Sequence, residues 1–297
     1  MGFIKRIGFF LVLNFLIVIT ISIVLSLLGV QPYLQRAGLN YRSLAVFCFL
    51  WGMLGAGISL ALSKKMALWM MKIRLIQRGS SHEFLLHTVE RLAKKAHIPM
   101  PDVGIYPGKE VNAFATGPTK RHSLIAVSEG LLHKMDPDEI EGVLAHELAH
   151  IENGDMVTMT LLQGVVNAFV MFFARALAYA VSGLGRGDRR SSYMTYIFCV
   201  YAFEICFMIL GSLLVSGFSR FREYRADRGG ARLAGTNKMI RALETLLAQN
   251  SSAPADIPQE QAAFNSLKIS SNRKSNWLRL FASHPPLEER IARLRSS

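Results

Sequence analysis

The 297 residues carry 34 Lys and Arg against 21 Asp and Glu, a net charge of +13, yet 51% of them are hydrophobic. The mean hydropathy of +0.27 is high for a soluble domain and points to a membrane protein. The three cysteines, Cys48, Cys199 and Cys206, stand in apolar runs without a C-x-x-C spacing, which excludes a disulfide framework and a thiolate zinc site.

Four apolar segments, near residues 7–30, 43–62, 157–182 and 193–218, are long enough to cross a bilayer, which needs about 20 residues. The first follows Lys5-Arg6. It is too long and lacks the cleavage site of a signal peptide, so it reads as an uncleaved anchor. Lys64, Lys65, Lys72, Arg74 and Arg78 follow the second segment, whereas the loop before it holds only Arg36 and Arg42. The positive-inside rule therefore places the N-terminus and the chain from residue 63 in the cytoplasm. Basic residues in these positions are explained by orientation and contact with anionic lipid, so the charge implies a lipid bilayer and no nucleic acid.

Residues 103–106, 111–116 and 123–128 are β-prone runs bounded by Pro107-Gly108 and Gly117-Pro118, which predicts a small antiparallel sheet. A helix over 136–154 follows. Asp136 is its N-cap, Pro137 suits the first helical position, and Glu139 completes a capping box. Ile140, Val143, Leu144, Leu148 and Ile151 form its apolar stripe, and Asn153-Gly154 ends it. The third and fourth apolar segments then form a hairpin. Arg186, Arg189 and Arg190 against Asp188 in its loop argue weakly against a full crossing. Arg175 and Glu204 inside the hairpin either pair with each other or mark a polar surface packed on protein. A second helix carries residues 221–227, followed by the small Gly229, Gly230 and Ala231. Residues 250–275 read as a polar loop, and Ser283-His284-Pro285-Pro286 as a turn before a final helix over 287–294.

The chemistry sits in His146-Glu147-Leu148-Ala149-His150. Residues four apart share a helix face, so His146 and His150 can hold one metal ion, and Glu147 lies close enough to act on water there. A third ligand should be a carboxylate or histidine. The best candidate is Glu223, with Asp227 four residues on to accept a hydrogen bond from a ligand histidine. A surface helix would also carry charges at this spacing, but the upstream motif favours ligation. His82, His87, His97, His122 and His133 have no ligand-like spacing.

These motifs, together with Val111-Asn112-Ala113-Phe114-Ala115-Thr116-Gly117, Asn153-Gly154-Asp155 and Ser283-His284-Pro285-Pro286-Leu287, make the whole chain resemble the HtpX family of membrane-bound zinc metalloproteases, related to the CAAX prenyl proteases. The resemblance implies a mainly α integral membrane protein with four hydrophobic helices and a small α+β, zincin-like (gluzincin) catalytic domain. It implies one Zn2+ per chain on His146, His150 and Glu223. It also implies Glu147 as general base, Asp227 behind a ligand histidine, and His284 beside the developing oxyanion. Asn112, Ala113, Phe114 and Ala115 resemble the family's substrate-binding edge strand, although an ordinary core strand accounts equally well for Phe114.

The expected organisation is a transmembrane hairpin (1–65), a first catalytic part (66–156), a second hydrophobic hairpin (157–218) and a second catalytic part (219–297). The expected activity is cleavage of misfolded or damaged membrane proteins. The expected location is a bacterial inner membrane, crossed several times, with the catalytic domain facing the cytoplasm. His150 precedes the third segment by seven residues and Glu223 follows the fourth by five, so both halves of the site emerge from the base of one hairpin. A non-proteolytic zinc- and client-binding chaperone is the alternative. The intact Glu147 speaks against it, because metal retention alone does not need that carboxylate.

Overall fold

The computed structural model describes residues 41–183, 189–252 and 282–296. The first expected span, 7–30, lies outside them, as does all of the expected polar loop beyond Ser252; its first residues, 250–252, end a helix.

Described residues 41–56 and 161–214 belong to one compact unit, and 57–160, 215–252 and 282–296 to a second. Among the described residues, three helices are long and apolar enough to cross a membrane: α1 (Tyr41–Met70), α5 (Asp155–Gly183) and α6 (Arg189–Ala234). They contain the second, third and fourth expected spans. In the first unit Val46, Phe49, Phe169 and Leu214 point outward, as side chains facing lipid do. Helix contacts there are close because small residues meet. A Cβ on Gly52 would lie 2.7 Å from the Gly164 carbonyl, and one on Gly211 would lie 2.6 Å from the Val166 side chain. Of the two arrangements open to Arg175 and Glu204, direct pairing is the one adopted: Arg175 Nη1 donates to Glu204 Oε1 at 2.7 Å, with both residues buried.

The second unit is built on a four-stranded sheet of β1 (Arg74–Leu75), β2 (Asp102–Tyr106), β3 (Ala113–Thr116) and β4 (Leu124–Ser128), in the order β1-β2-β4-β3. The expectation of an antiparallel sheet is corrected. β1 and β3 are antiparallel to their neighbours, but β2 and β4 run parallel, with Asp102 opposite Leu124 and Tyr106 opposite Ser128. The physical reason is that residues 107–123 are a long enough connection to return the chain to the starting end of β2. β3 folds back within that connection and pairs on the outer side of β4. Central β4 is buried throughout, and β3 is left as an edge.

Helix α2 (Glu83–Lys95) covers one sheet face, and the short α3 (Glu129–Lys134) follows β4. Helix α4 (Pro137–Asn153) is the centre of the core, buried from Ile140 to Ile151. Its expected ends are present. Asp136 Oδ1 accepts from the Glu139 amide at 2.9 Å, Glu139 returns the bond to the Asp136 amide, and Gly154 stops the helix at φ 69°. α7 (Thr236–Ser252) packs on α4 so closely that a Cβ on Gly142 would lie 2.6 Å from the Lys238 carbonyl. Glu141 ties α4 to α2 through Arg91 and to α7 through Lys238, each at 2.9 Å. α8 (Leu287–Arg295) completes the core with Leu287, Ile291 and Leu294.

Residues 221–227 are helical, as expected, and continue the fourth apolar segment without a break. They belong to α6, which is unbroken over 46 residues. No proline interrupts positions 189–234, and the glycines there, including Gly217 near the end of the apolar segment, are too weak as breakers.

Candidate metal centre

All residues of the site lie in the second unit. α4 offers His146 and His150 one turn apart, and α6 offers Glu223 and Asp227 at the same spacing. Two glycines allow these helices to touch. A Cβ on Gly229 would sit 2.7 Å from that of Ala149, and one on Gly230 would sit 3.2 Å from the His146 amide nitrogen. Glycine inside a helix costs about 1 kcal/mol relative to alanine. Here it lets the backbone of α6 lie against the histidine turn.

The result is a convergence of three donors. His146 Nε2 and His150 Nε2 are 3.2 Å apart, and they lie 3.4 and 3.5 Å from the two oxygens of Glu223. A tetrahedral zinc ion with bonds of about 2.0–2.2 Å spaces its ligand atoms about 3.4 Å apart, so the observed edges are those of such a site. Glu223 Oε2 gives a second indication. It is buried within 2.9 Å of His284 Nδ1, 3.4 Å of His146 and 3.8 Å of Arg290, yet meets hydrogen-bond geometry with none of them. Imidazole nitrogens and a carboxylate oxygen facing one point fit zinc.

Behind each histidine stands a carboxylate. His146 Nδ1 faces Asp227 Oδ1 at 3.0 Å, and His150 Nδ1 faces Asp155 Oδ2 at 2.7 Å. A carboxylate there favours the proton on Nδ1 and leaves the Nε2 lone pair for a cation. Each carboxylate is held by an arginine in turn: Asp227 by Arg290, and Asp155 by Arg225.

Charge in the metal-free site follows this geometry. Burial works to lower the His146 pKa, but Asp227 and Glu223 overcome it and raise the imidazole to about 9. Burial opposes ionisation of Glu223 as well. His284 and His146 outweigh it and hold the carboxyl well below its usual range. Asp227, against the same penalty, is held down to about 2 by Arg290. The carboxylates of the cage are close enough to draw a proton onto His146 when no metal neutralises them.

Glu147 follows His146 on α4 and is 7% exposed. The structure brings His284 against Glu223, and β3 lies beside α4. Within β3 the side chain of Phe114 is buried against Tyr106, with ring centroids 5.7 Å apart, so what Ala113–Thr116 can offer a ligand is its backbone edge. Sequence reasoning misses Asp155, Arg225 and Arg290. Asp155 has a legible signal, an acid directly after the Asn153-Gly154 helix stop and one turn beyond His150. The arginines have none, because their partners are 70 and 63 residues away.

Residues 81–297 match peptidase family M48. Protease HtpX of Chromohalobacter salexigens is 48% identical over 297 residues, 98% of each chain. Protease HtpX of Thioalkalivibrio sulfidiphilus is 46% identical over 98% of this chain and 99% of its own. In fold, the chain is similar to the crystal structure of S. mikatae Ste24p, with a TM-score of 0.60 over 95% of this chain and 67% of that one, at 18% identity. A family of metalloproteases, three apolar helices and a His-His-Glu cluster agree with one another. The chain belongs to peptidase family M48, in accord with the resemblance read from its motifs, and is a membrane metallopeptidase.

Proposed function

We propose that the chain is a zinc-dependent endopeptidase that cuts internal peptide bonds of misfolded or damaged membrane proteins at the cytoplasmic membrane surface. The observation that carries this reading is the convergence of His146, His150 and Glu223 directly beside Glu147. These three residues would hold one zinc ion. When bound, zinc lowers the pKa of water towards about 7 and polarises a carbonyl.

Glu147 takes the proton of the attacking water and passes it to the departing amine, a contribution of typically 10²–10⁴-fold. Asp227 and Asp155 keep the two imidazoles in the tautomer that presents Nε2. The open edge of β3, including Ala113, Phe114 and Ala115, with Asn112 just before it, offers backbone hydrogen bonds to an extended substrate. His284, whose Nδ1 faces Glu223 at 2.9 Å, would donate to a developing oxyanion. The cytoplasmic placement, in a bacterial inner membrane, rests on Lys64, Lys65, Lys72, Arg74 and Arg78 following the second apolar segment. Nearness to the membrane surface rests on the short gaps that separate His150 and Glu223 from the apolar segments in sequence.

The test is a comparison of purified wild type with Glu147→Gln, given zinc and an unfolded membrane protein. The variant should retain zinc and lose cleavage by at least about 100-fold; cleavage at the wild-type rate would overturn the assignment. Cysteines placed beside the site should be labelled from the cytoplasmic face, and labelling from the outer face would refute the topology.

A further inference from the structure

The two arms that support the histidines are built alike but not exposed alike. In the first arm, Arg290 holds Asp227 behind His146, and the Arg290 side chain is fully buried. In the second, Arg225 holds Asp155 behind His150, and the Arg225 side chain is 39% exposed. Arg225 stands on α6 between Glu223 and Asp227, two residues from each. Its guanidinium bonds one oxygen of Asp155 in the first turn of α5, while the other oxygen faces His150 Nδ1. One turn of α6 thus presents a candidate ligand, the support of His146 and, through Asp155, the support of His150.

We propose that Arg225 is a positioning residue of the metal centre, fixing His150 for zinc by holding the Asp155 carboxylate in place. The inference rests on reading His146, His150 and Glu223 as the ligands. Asp155 is completely buried, and a buried carboxylate keeps its orientation only while hydrogen-bonding partners hold it. His150 is one partner and Arg225 the other; the N-terminal dipole of α5 adds a weaker attraction. Without Arg225, the Asp155 carboxylate is free to turn, and the imidazole loses the acceptor that fixes its orientation. Removing a group that contacts a ligand directly costs about 10–100-fold in metal affinity. Arg225 acts one step further out, so its removal should cost about 3–10-fold.

Docking of α6 on α4 provides the control, because Arg232 on α6 also pairs with Glu152 on α4, away from the ligands. The experiment measures the zinc affinity of the full-length purified protein by competition with a chromophoric chelator, alongside thermal unfolding of the metal-free form. Arg225→Ala should bind zinc about 3–10-fold more weakly and Arg225→Lys should recover part of the loss, while Arg232→Ala keeps wild-type affinity. The metal-free variants should still unfold cooperatively, with Arg225→Ala melting below the wild type because the buried Asp155 loses its arginine. Wild-type affinity in Arg225→Ala, or equal losses in Arg225→Ala and Arg232→Ala, overturns the role of Arg225. Failure of the wild type itself to bind zinc overturns the ligand assignment beneath it.

Discussion

Arg290 grips the carboxylate of Asp227 with two parallel bonds, Nε to Oδ2 at 2.8 Å and Nη2 to Oδ1 at 2.6 Å, although the two residues are 63 apart in sequence. Both are buried, so neither charge has water to fall back on. The pair fastens α8 to the turn of α6 that faces the histidines. Through Asp227 it also reaches His146.

Removing only the arginine should therefore be severe. Arg290→Met leaves Asp227 a buried carboxylate with only His146 beside it, for which the expected loss of stability is about 3–5 kcal/mol. Asp227→Asn together with Arg290→Met should recover much of that loss, since no uncompensated charge remains. Thermal unfolding of the two variants checks this; a single variant as stable as wild type would show that the ion pair contributes little.

Metal removal exposes a pH dependence whose sign is fixed by His146. Its folded pKa, about 9, stands above the ordinary value near 6.5, so protonation stabilises the metal-free fold below about pH 6.5. That contribution is lost as pH rises through about 9. Chelator-treated protein should accordingly melt at lower temperature at high pH. Zinc competes for the same nitrogen, so uptake near pH 7 should release about one proton, and affinity should strengthen towards alkaline pH. Calorimetry in buffers of different ionisation enthalpy measures the proton. Zinc binding without proton release would contradict the raised pKa.

The approach of α7 to α4 predicts an unusual glycine effect. Alanine is intrinsically better in a helix by about 1 kcal/mol, yet Gly142→Ala would place its Cβ 2.6 Å from a backbone carbonyl that cannot rotate away. Forcing the helices apart should give a net loss of about 1–3 kcal/mol. Gly55 in α1 has no atom within 4 Å of the same added carbon, so Gly55→Ala should be neutral or mildly stabilising. Equal melting temperatures for the two variants would sink the packing argument.

Much of the helix that carries the two histidines is legible in the amino-acid sequence. Asp136, Pro137, Glu139 and Gly154 act within a turn of themselves, and the shared face of His146 and His150 follows from helix geometry alone. Glu223 and Asp227 stand out for the same reason, as an i,i+4 pair on a second helical stretch. The sheet is less legible. Strand-forming composition locates β2, β3 and β4, but composition carries no direction, and the parallel pairing of β2 with β4 is set by where the intervening chain returns. Phe114 illustrates the same limit. Its strand is recognisable, while its burial against Tyr106 depends on which sheet face is covered.

The sequence by itself determined the apolar segments, the two-histidine helix with its caps, and which three residues are the candidate donors. All of these depend on spacing within one segment or on composition. Only the tertiary structure decided that Asp155 backs His150, that Arg225 and Arg290 hold the two carboxylates, and that Gly229 and Gly230 let the helices approach. These contacts join parts of the chain tens of residues apart. They form because a buried charge must find a partner wherever the fold places one, and no local pattern records that requirement.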